Sequence, residues 1–234
     1  PRPRPDRVNL ASAVQILKSA KRPLIIAGGG VKYSLAGEFV GNFATQYKIP
    51  LCETISGKGA IIHEHPAYVG GIGVTGSSSA NAMAASADVI LAIGTRLQDF
   101  TTGSWTAFSD DAKFISINAA RWDAVKHRAL SVVGDALETI KELNLALTDW
   151  SAPEIWMEKG RKEMATWNAL IDEKQKPTNA ILPSYAQIIK IIHDNANDRD
   201  LVITAAGGPP GEVNKGWRVK SPNTVDTEFG FSCM

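Results

Sequence analysis

The sequence predicts an α/β fold: a doubly wound parallel sheet, followed by a second α/β unit that is opened but left truncated. Three observations carry this expectation. Short apolar runs, among them Leu24-Ile25-Ile26-Ala27 and Val89-Ile90-Leu91-Ala92-Ile93, end directly in glycine. Apolar runs of that length without polar alternation read as strands buried on both faces. Stretches of helical periodicity separate them, and strands alternating with helices require right-handed crossovers that place helices on both sides of one sheet.

In chain order, a helix is expected from Asn9 to Ala20, with Asn9 able to cap and Val8, Ala11, Val14, Ile16 and Leu17 roughly in helical register. Leu24 to Ala27 follows as a strand running into Gly28-Gly29-Gly30. A second helix covers Leu35 to Tyr47, with Phe39, Val40 and Phe43 facing inward, and Ile49 to Thr54 is a strand with Pro50 near its start. Ser56 to Gly76, rich in glycine, histidine and proline, reads as a long loop, and Ser79 to Ala87 as a small-residue helix. Asp88 to Gly94 is the clearest strand, Lys113 to Asn118 another, and Ser131 to Asp135 a short strand before an amphipathic helix from Ala136 to Leu147. Ser151 to Lys176 is helical but polar outside a few tryptophans, which suits a linker helix lying on a surface. Pro183 to Ile192 is a helix, and Leu201-Val202-Ile203-Thr204 a buried strand opening the second unit. A loop and one further short element then follow, too little for an independently stable sheet.

Composition narrows the functional classes. Hydrophobic residues make up 44% and charged residues 21%, ordinary for a soluble globular chain. The 25 basic and 24 acidic residues are interleaved, and the net charge of +1 creates no field to gather nucleic acid or an acidic membrane. No apolar run approaches the roughly 18–20 residues that span a bilayer. Two distant cysteines, Cys52 and Cys233, favour a reducing, cytoplasmic setting over a disulfide framework. Six scattered tryptophans suit packing better than base stacking. Pro1-Arg2-Pro3-Arg4-Pro5 reads as a proline-stiffened linker, and Phe229 to Met234 as a stretch normally buried, so both ends suggest excision from a longer polypeptide.

Several motifs admit a chemical and a plain structural reading. Gly28-Gly29-Gly30 lacks the third glycine of a dinucleotide fingerprint, which favours a tight strand-to-helix turn. His63-Glu64-His65 lies in a loop beside Pro66 without a visible third ligand, which argues against a metal. Gly94-Thr95-Arg96 sits at the carboxyl end of the strongest strand, where open parallel sheets bind ligands. Arg96 could hold a phosphate bidentately or pair with Asp99 or Asp110, and the sequence leaves both open. Thr204 to Gly211 repeats the arrangement in the second unit: small residues let backbone amides approach an anion, or simply make a βα turn.

The order of these segments is specific. Pro23 to Val31, Ile49-Pro50, Ser56-Gly57-Lys58-Gly59, His65-Pro66, Gly70-Gly71-Ile72-Gly73, Ala87 to Arg96 and Val132-Val133-Gly134-Asp135 resemble the central domain of the acetolactate synthase-like thiamine-diphosphate enzymes. Ala205 to Trp217 and Glu228 to Met234 look like the branch that hydrolyses a cyclic 1,2-dione in inositol breakdown; acetolactate synthase-like and malonic semialdehyde oxidative decarboxylase activities are the alternatives within the family. The resemblance implies a central domain over 1–150, a linker helix region over 151–182, and the start of the thiamine-diphosphate-binding domain over 183–234. It implies that Ala206, Gly207 and Gly208 approach the cofactor diphosphate, and that Ser232, Cys233 and Met234 belong to its site, Met234 lying under the bend between the two rings. It also implies Mg2+ held by residues outside this sequence, FAD as a candidate ligand at Gly94, Thr95 and Arg96, and a homodimeric or homotetrameric parent. The family's catalytic glutamate and its Gly-Asp-Gly metal motif have no counterpart here, so no catalytic or metal residue is assigned and the chain alone is expected to be inactive. The reading from a different class is a nucleotide-binding or scaffold module without chemistry.

Overall fold

The computed structural model describes residues 2–205 and 207–227. Six parallel strands form the main sheet: β1 (Pro23–Ala27), β2 (Leu51–Glu53), β3 (Tyr68–Gly71), β4 (Val89–Ile93), β5 (Lys113–Asn118) and β6 (Leu130–Val133), in the spatial order β3-β2-β1-β4-β5-β6. The order reverses between β1 and β4, which pair in register from Pro23↔Val89 to Ala27↔Ile93. This is the doubly wound arrangement expected from the apolar runs. Each buried strand splits its side chains between two cores: Ile25, Ala27, Leu91 and Ile93 point to one, and Leu24, Ile26, Ile90 and Ala92 to the other. The period-2 alternation is intact, but both faces are dry, so it is invisible as polarity.

Helices α1 (Arg7–Ser19), α2 (Gly29–Tyr33), α3 (Gly37–Gln46), α4 (Ser78–Ser86), α5 (Asp99–Thr102), α6 (Arg121–Ala124) and α7 (Ala136–Ala146) connect or cover these strands. Leu10, Leu17, Val40, Phe43, Ile140 and Leu143 of α1, α3 and α7 fill the first core, while Ala80, Met83 and Ala84 of α4 fill the second. Asp6, not Asn9, caps α1, accepting the Val8 and Asn9 amides at 3.0 Å each. The proline-rich start is not a free linker. Arg2 pairs with Asp135 at 3.0 Å, the Pro3 carbonyl accepts the Asp135 amide, and Arg4 pairs with Glu142.

Four further expectations are corrected. Phe39 is 44% exposed, lying under the Lys141 ammonium on the outer side of α3 instead of facing inward. The long loop from Ser56 to Gly76 contains β3 and a 3-10 turn, Ile55–Gly57. Helix α8 (Glu154–Lys174) is no surface strap: it buries Trp156, Met157, Gly160, Met164, Trp167 and Ile171 and supplies both cores. Gly160 lets it close on Val69 and Pro50, and the Trp156 indole donates to the Pro23 carbonyl at 2.7 Å. The strand from Leu201 is not buried, since Leu201 is 71% and Ile203 74% exposed.

The second unit comprises α9 (Tyr185–Asn195), β7 (Val202–Thr204), α10 (Gly208–Gly216) and β8 (Val225–Thr227). A capping box between Ser184 and Gln187 starts α9. Parallel β7 and β8 form a sheet of two, and a small core of Ile189, Val213, Trp217, Val219 and Val225 holds the unit together. No helix among the described residues is long and apolar enough to cross a membrane.

The packing of α8 generates a stability prediction. Trp156→Ala should cost about 3–5 kcal/mol, the range for truncating a buried aromatic, whereas Phe39→Ala should cost less than about 1 kcal/mol. Urea denaturation of the two variants beside the native chain measures both.

Candidate functional site

The first site lies where the strand order reverses. Residues directly after β1, β2, β4 and β5 surround a cleft of about 270 Å3, lined by Gly29, Gly30, Thr54, Ser56, Gly94, Thr95, Arg96, Gln98, Asn118 and Asp123, among others. Crevices at this point of an open α/β sheet are the usual ligand positions. The floor is two crossing backbones. The Gly30 amide donates to the Gly94 carbonyl at 2.9 Å, and a Cβ on Gly30 would stand 2.6 Å from the Gly94 Cα. Gly94 has φ of +60°, so both its conformation and its surroundings demand glycine. Gly28-Gly29-Gly30 is thus the tight strand-to-helix turn, and its glycines make room for the opposite turn.

The Gly94-Thr95-Arg96 turn is fixed from both sides. The Thr95 hydroxyl accepts the Leu97 amide at 3.2 Å, and Asn118 donates to the Thr95 carbonyl at 3.1 Å. Arg96 forms no ion pair with Asp99, Asp110 or any other described residue; its exposed guanidinium borders the cleft. Asp123, across the cleft, is already paired with Lys126 at 2.7 Å. Thr54, Ser56, Asn118 and Asp123 were not foreseen as cleft residues. Their signal was positional, since Asn118 ends β5 and the others follow a strand or its turn.

The second site is the turn after β7. Gly207 has φ of +100° and precedes α10 without a side-chain cap. Gly207 and Gly208 are exposed, and neither amide donates to a described residue. Pro209 and Pro210 have no amide hydrogen, so the first turn offers only these two glycine donors. A diphosphate can approach them closely because no Cβ intervenes. Ala206, Ser232, Cys233 and Met234 lie outside the described residues. The two sites are separate: no described residue of the second unit lines the cleft.

Between them runs a seam of buried polar groups that the sequence reading missed. Glu53, at the end of β2, is 0% exposed. Its Oε1 accepts the Ile61 amide at 2.8 Å, while Oε2 lacks a well-formed hydrogen bond although the Tyr68 hydroxyl and Gly59 amide lie near the carboxylate. Burial pushes this carboxyl up to about 7, against the opposing pull of Lys58. Burial likewise lowers the Lys58 ammonium, against the pull of Glu53. Burial holds His63 down at about 4, helped by Arg218 and Lys58. His63 meets the Tyr68 ring edge-on at 5.8 Å, whereas His65 accepts the Ala67 amide and packs beside Gly41. The two histidines therefore serve different neighbours, and no group of three potential metal ligands occurs among the described residues.

The Glu53 shift has a defined sign. A carboxyl raised in the fold favours the protonated form, so its contribution is complete below about 4.5 and is lost as pH rises towards about 7. Glu53→Gln imitates the protonated state. Its stability relative to the native chain should improve by on the order of 2–3 kcal/mol between pH 5 and pH 8, measured by urea unfolding across that range. The opposing His63 contribution is common to both proteins and cancels in the difference.

Comparison with known proteins gives these sites a context. A family model described as "Thiamine pyrophosphate enzyme, central domain" matches residues 10–143. Proteins named 3D-(3,5/4)-trihydroxycyclohexane-1,2-dione hydrolase are similar over the whole chain. The one from Clostridium perfringens (strain ATCC 13124) is 34% identical over 258 residues, and the one from Bacillus licheniformis 35% over 257. That from Geobacillus thermodenitrificans is 34% identical over 254 residues. In each case the match covers 100% of this chain and 40% of the relative's length.

Proposed function

Since the chain belongs to the thiamine pyrophosphate enzyme family, we propose that it is the central domain and the opening of the cofactor-binding domain of a hydrolase that cleaves a carbon–carbon bond in a cyclic 1,2-dione. The observation that carries this reading is the extent of the similarity. It runs through the second unit as well as the central sheet, and the relatives bear that activity in their names. The chain spans about 40% of their length, so activity, substrate and assembly belong to a longer parent. We assign that parent to inositol breakdown in the cytoplasm and to a homodimer or homotetramer.

In this reading the Gly207 and Gly208 amides hold one end of the cofactor diphosphate, with Ala206, Ser232, Cys233 and Met234 completing this chain's share of the site. The positive φ of Gly207, the free amides and the missing side-chain cap fit an anion there. Thiamine diphosphate, bound with Mg2+, supplies a carbon nucleophile and an electron sink for carbon–carbon cleavage. This chain's residues orient the diphosphate. None of the described ones is assigned to proton transfer at the substrate.

The test is direct. A full-length parent loaded with thiamine diphosphate and magnesium should open trihydroxycyclohexane-1,2-dione to 5-deoxy-glucuronate. A loaded parent that leaves this dione intact and condenses pyruvate to acetolactate would move the assignment to the synthase branch.

The second reading is nucleotide binding at the cleft. It is favoured by the unpaired Arg96 beside the Gly94 turn. The volume of about 270 Å3 sits near the lower end of small-ligand pockets, roughly 300–1,000 Å3, which suits the nucleoside diphosphate part of FAD better than the whole molecule. A purified parent with a flavin absorbance band supports FAD. Calorimetric binding of ADP to a colourless parent supports the nucleotide alone.

A further inference from the structure

We propose that Lys58 is a positioning residue for α10: carried by the first sheet, it grips the carbonyl end of the helix whose other end bears the Gly207-Gly208 turn. Its consequence for cofactor binding rests on the reading of that turn as the diphosphate anchor. Its consequence for α10 does not.

Lys58 is only 3% exposed, an unusual position for a lysine. An ammonium taken out of water needs partners, and here the partner lies across the seam: Nζ donates to the Asn214 carbonyl at 3.2 Å. Asn214 lies in the last turn of α10, where carbonyls have no acceptor role left inside the helix and the helix dipole favours a positive charge. The buried Glu53 carboxylate offsets the charge. The backbone around Lys58 is held firmly. A Cβ on Gly57 would collide with the Ala27 carbonyl at the end of β1, and Gly59, at φ of +87°, lies against Val225. The two glycines that flank Lys58 in the sequence thus fix the root of its side chain, one on each unit.

Other contacts converge on the same end of α10. The Asn214 side chain donates to the Thr75 carbonyl at 3.1 Å, and Gly71 leaves the space this carboxamide occupies. Gln175 reaches the Gly216 carbonyl at 3.5 Å. At the opposite end of α10, the Gly207 and Gly208 amides donate to none of the described residues, and Gly208 only lies beside the Tyr185 ring. Nine residues span about 13 Å as one rigid rod, so a displacement at Asn214 is passed on to Gly208.

The experiment compares the full chain with Lys58→Met, Glu53→Gln and the double variant, by native-state hydrogen exchange and urea unfolding. Lys58→Met should speed exchange of the Val213 to Trp217 amides by about tenfold or more relative to Ile90 to Ile93 in β4, the scale set by losing a charged hydrogen bond. The double variant removes both buried charges, so it should recover the urea midpoint while α10 still exchanges fast. Recovery of α10 protection along with the midpoint would overturn the proposal, leaving Lys58 as a mere counter-ion for Glu53. So would unchanged α10 exchange in Lys58→Met. If that single variant fails to fold, the double variant alone decides. Calorimetry with inorganic pyrophosphate separates the two claims. Weaker binding by about tenfold in the double variant supports transmission to Gly208, and native affinity in that variant overturns it. A native chain that binds no pyrophosphate removes the diphosphate-anchor reading, while exchange still decides what Lys58 does to α10.

Discussion

The contact on which the structure depends is the crossing of two backbones at the end of β1 and β4. Gly28 and Gly30 on one side and Gly94 on the other approach so closely that a Cβ at any of them would meet main-chain atoms. The same crossing pairs β1 with β4, the point where the sheet changes winding direction. Part of the cleft lining gathers around it: Thr95 and Arg96 follow Gly94, Thr54 follows β2, and Asn118 reaches back to the Thr95 carbonyl. Sterics at three glycines thus set both the topology and the site it creates.

A second constraint joins the small unit to the large one. Among the described residues, a sheet of two strands with a five-residue buried core cannot account for the unit's stability. It is held instead by reaching contacts: Lys58 to Asn214, Lys32 to the Val225 carbonyl, the His63 amide to Val219, and the Asn223 amide to Gly59. All four end on backbone carbonyls, three of them in the second unit, so the seam tolerates side-chain change in the second unit more than in the loop from Glu53 to Gly76. Burial of Glu53 and Lys58 makes the same seam electrostatically costly, which ties it to pH.

What was legible in the sequence followed from burial on both faces. β1 and β4 showed as continuous apolar runs because neither side meets water, and their glycine ends exposed the switch point. β3 did not show, because Tyr68-Val69-Gly70-Gly71 carries two glycines whose missing side chains leave room for the Ser77, Ser79 and Asn214 side chains. α8 looked polar on average, yet Trp156, Gly160, Met164, Trp167 and Ile171 recur every three or four residues as a single buried stripe. That signal was present and was outweighed by the charged outer face. Leu201 and Ile203 misled in the opposite direction, apolar as in a core strand but uncovered in this chain. At the sites, strand ends located Gly94-Thr95-Arg96 and Gly207-Gly208. The Lys58–Asn214 link joins residues 156 positions apart, and no local pattern announces it.

In the proposed reading this chain carries two distinct sites, a diphosphate anchor at the start of α10 and a separate cleft at the β1–β4 switch. Amide chemical-shift mapping of the isotopically labelled chain, titrated with thiamine diphosphate and magnesium, tests it most directly. Shifts should concentrate at Gly207, Gly208 and Gly211, with Gly30, Gly94 and Thr95 unmoved. Shifts concentrated at Gly30, Gly94 and Thr95, with Gly207 and Gly208 still, would contradict it.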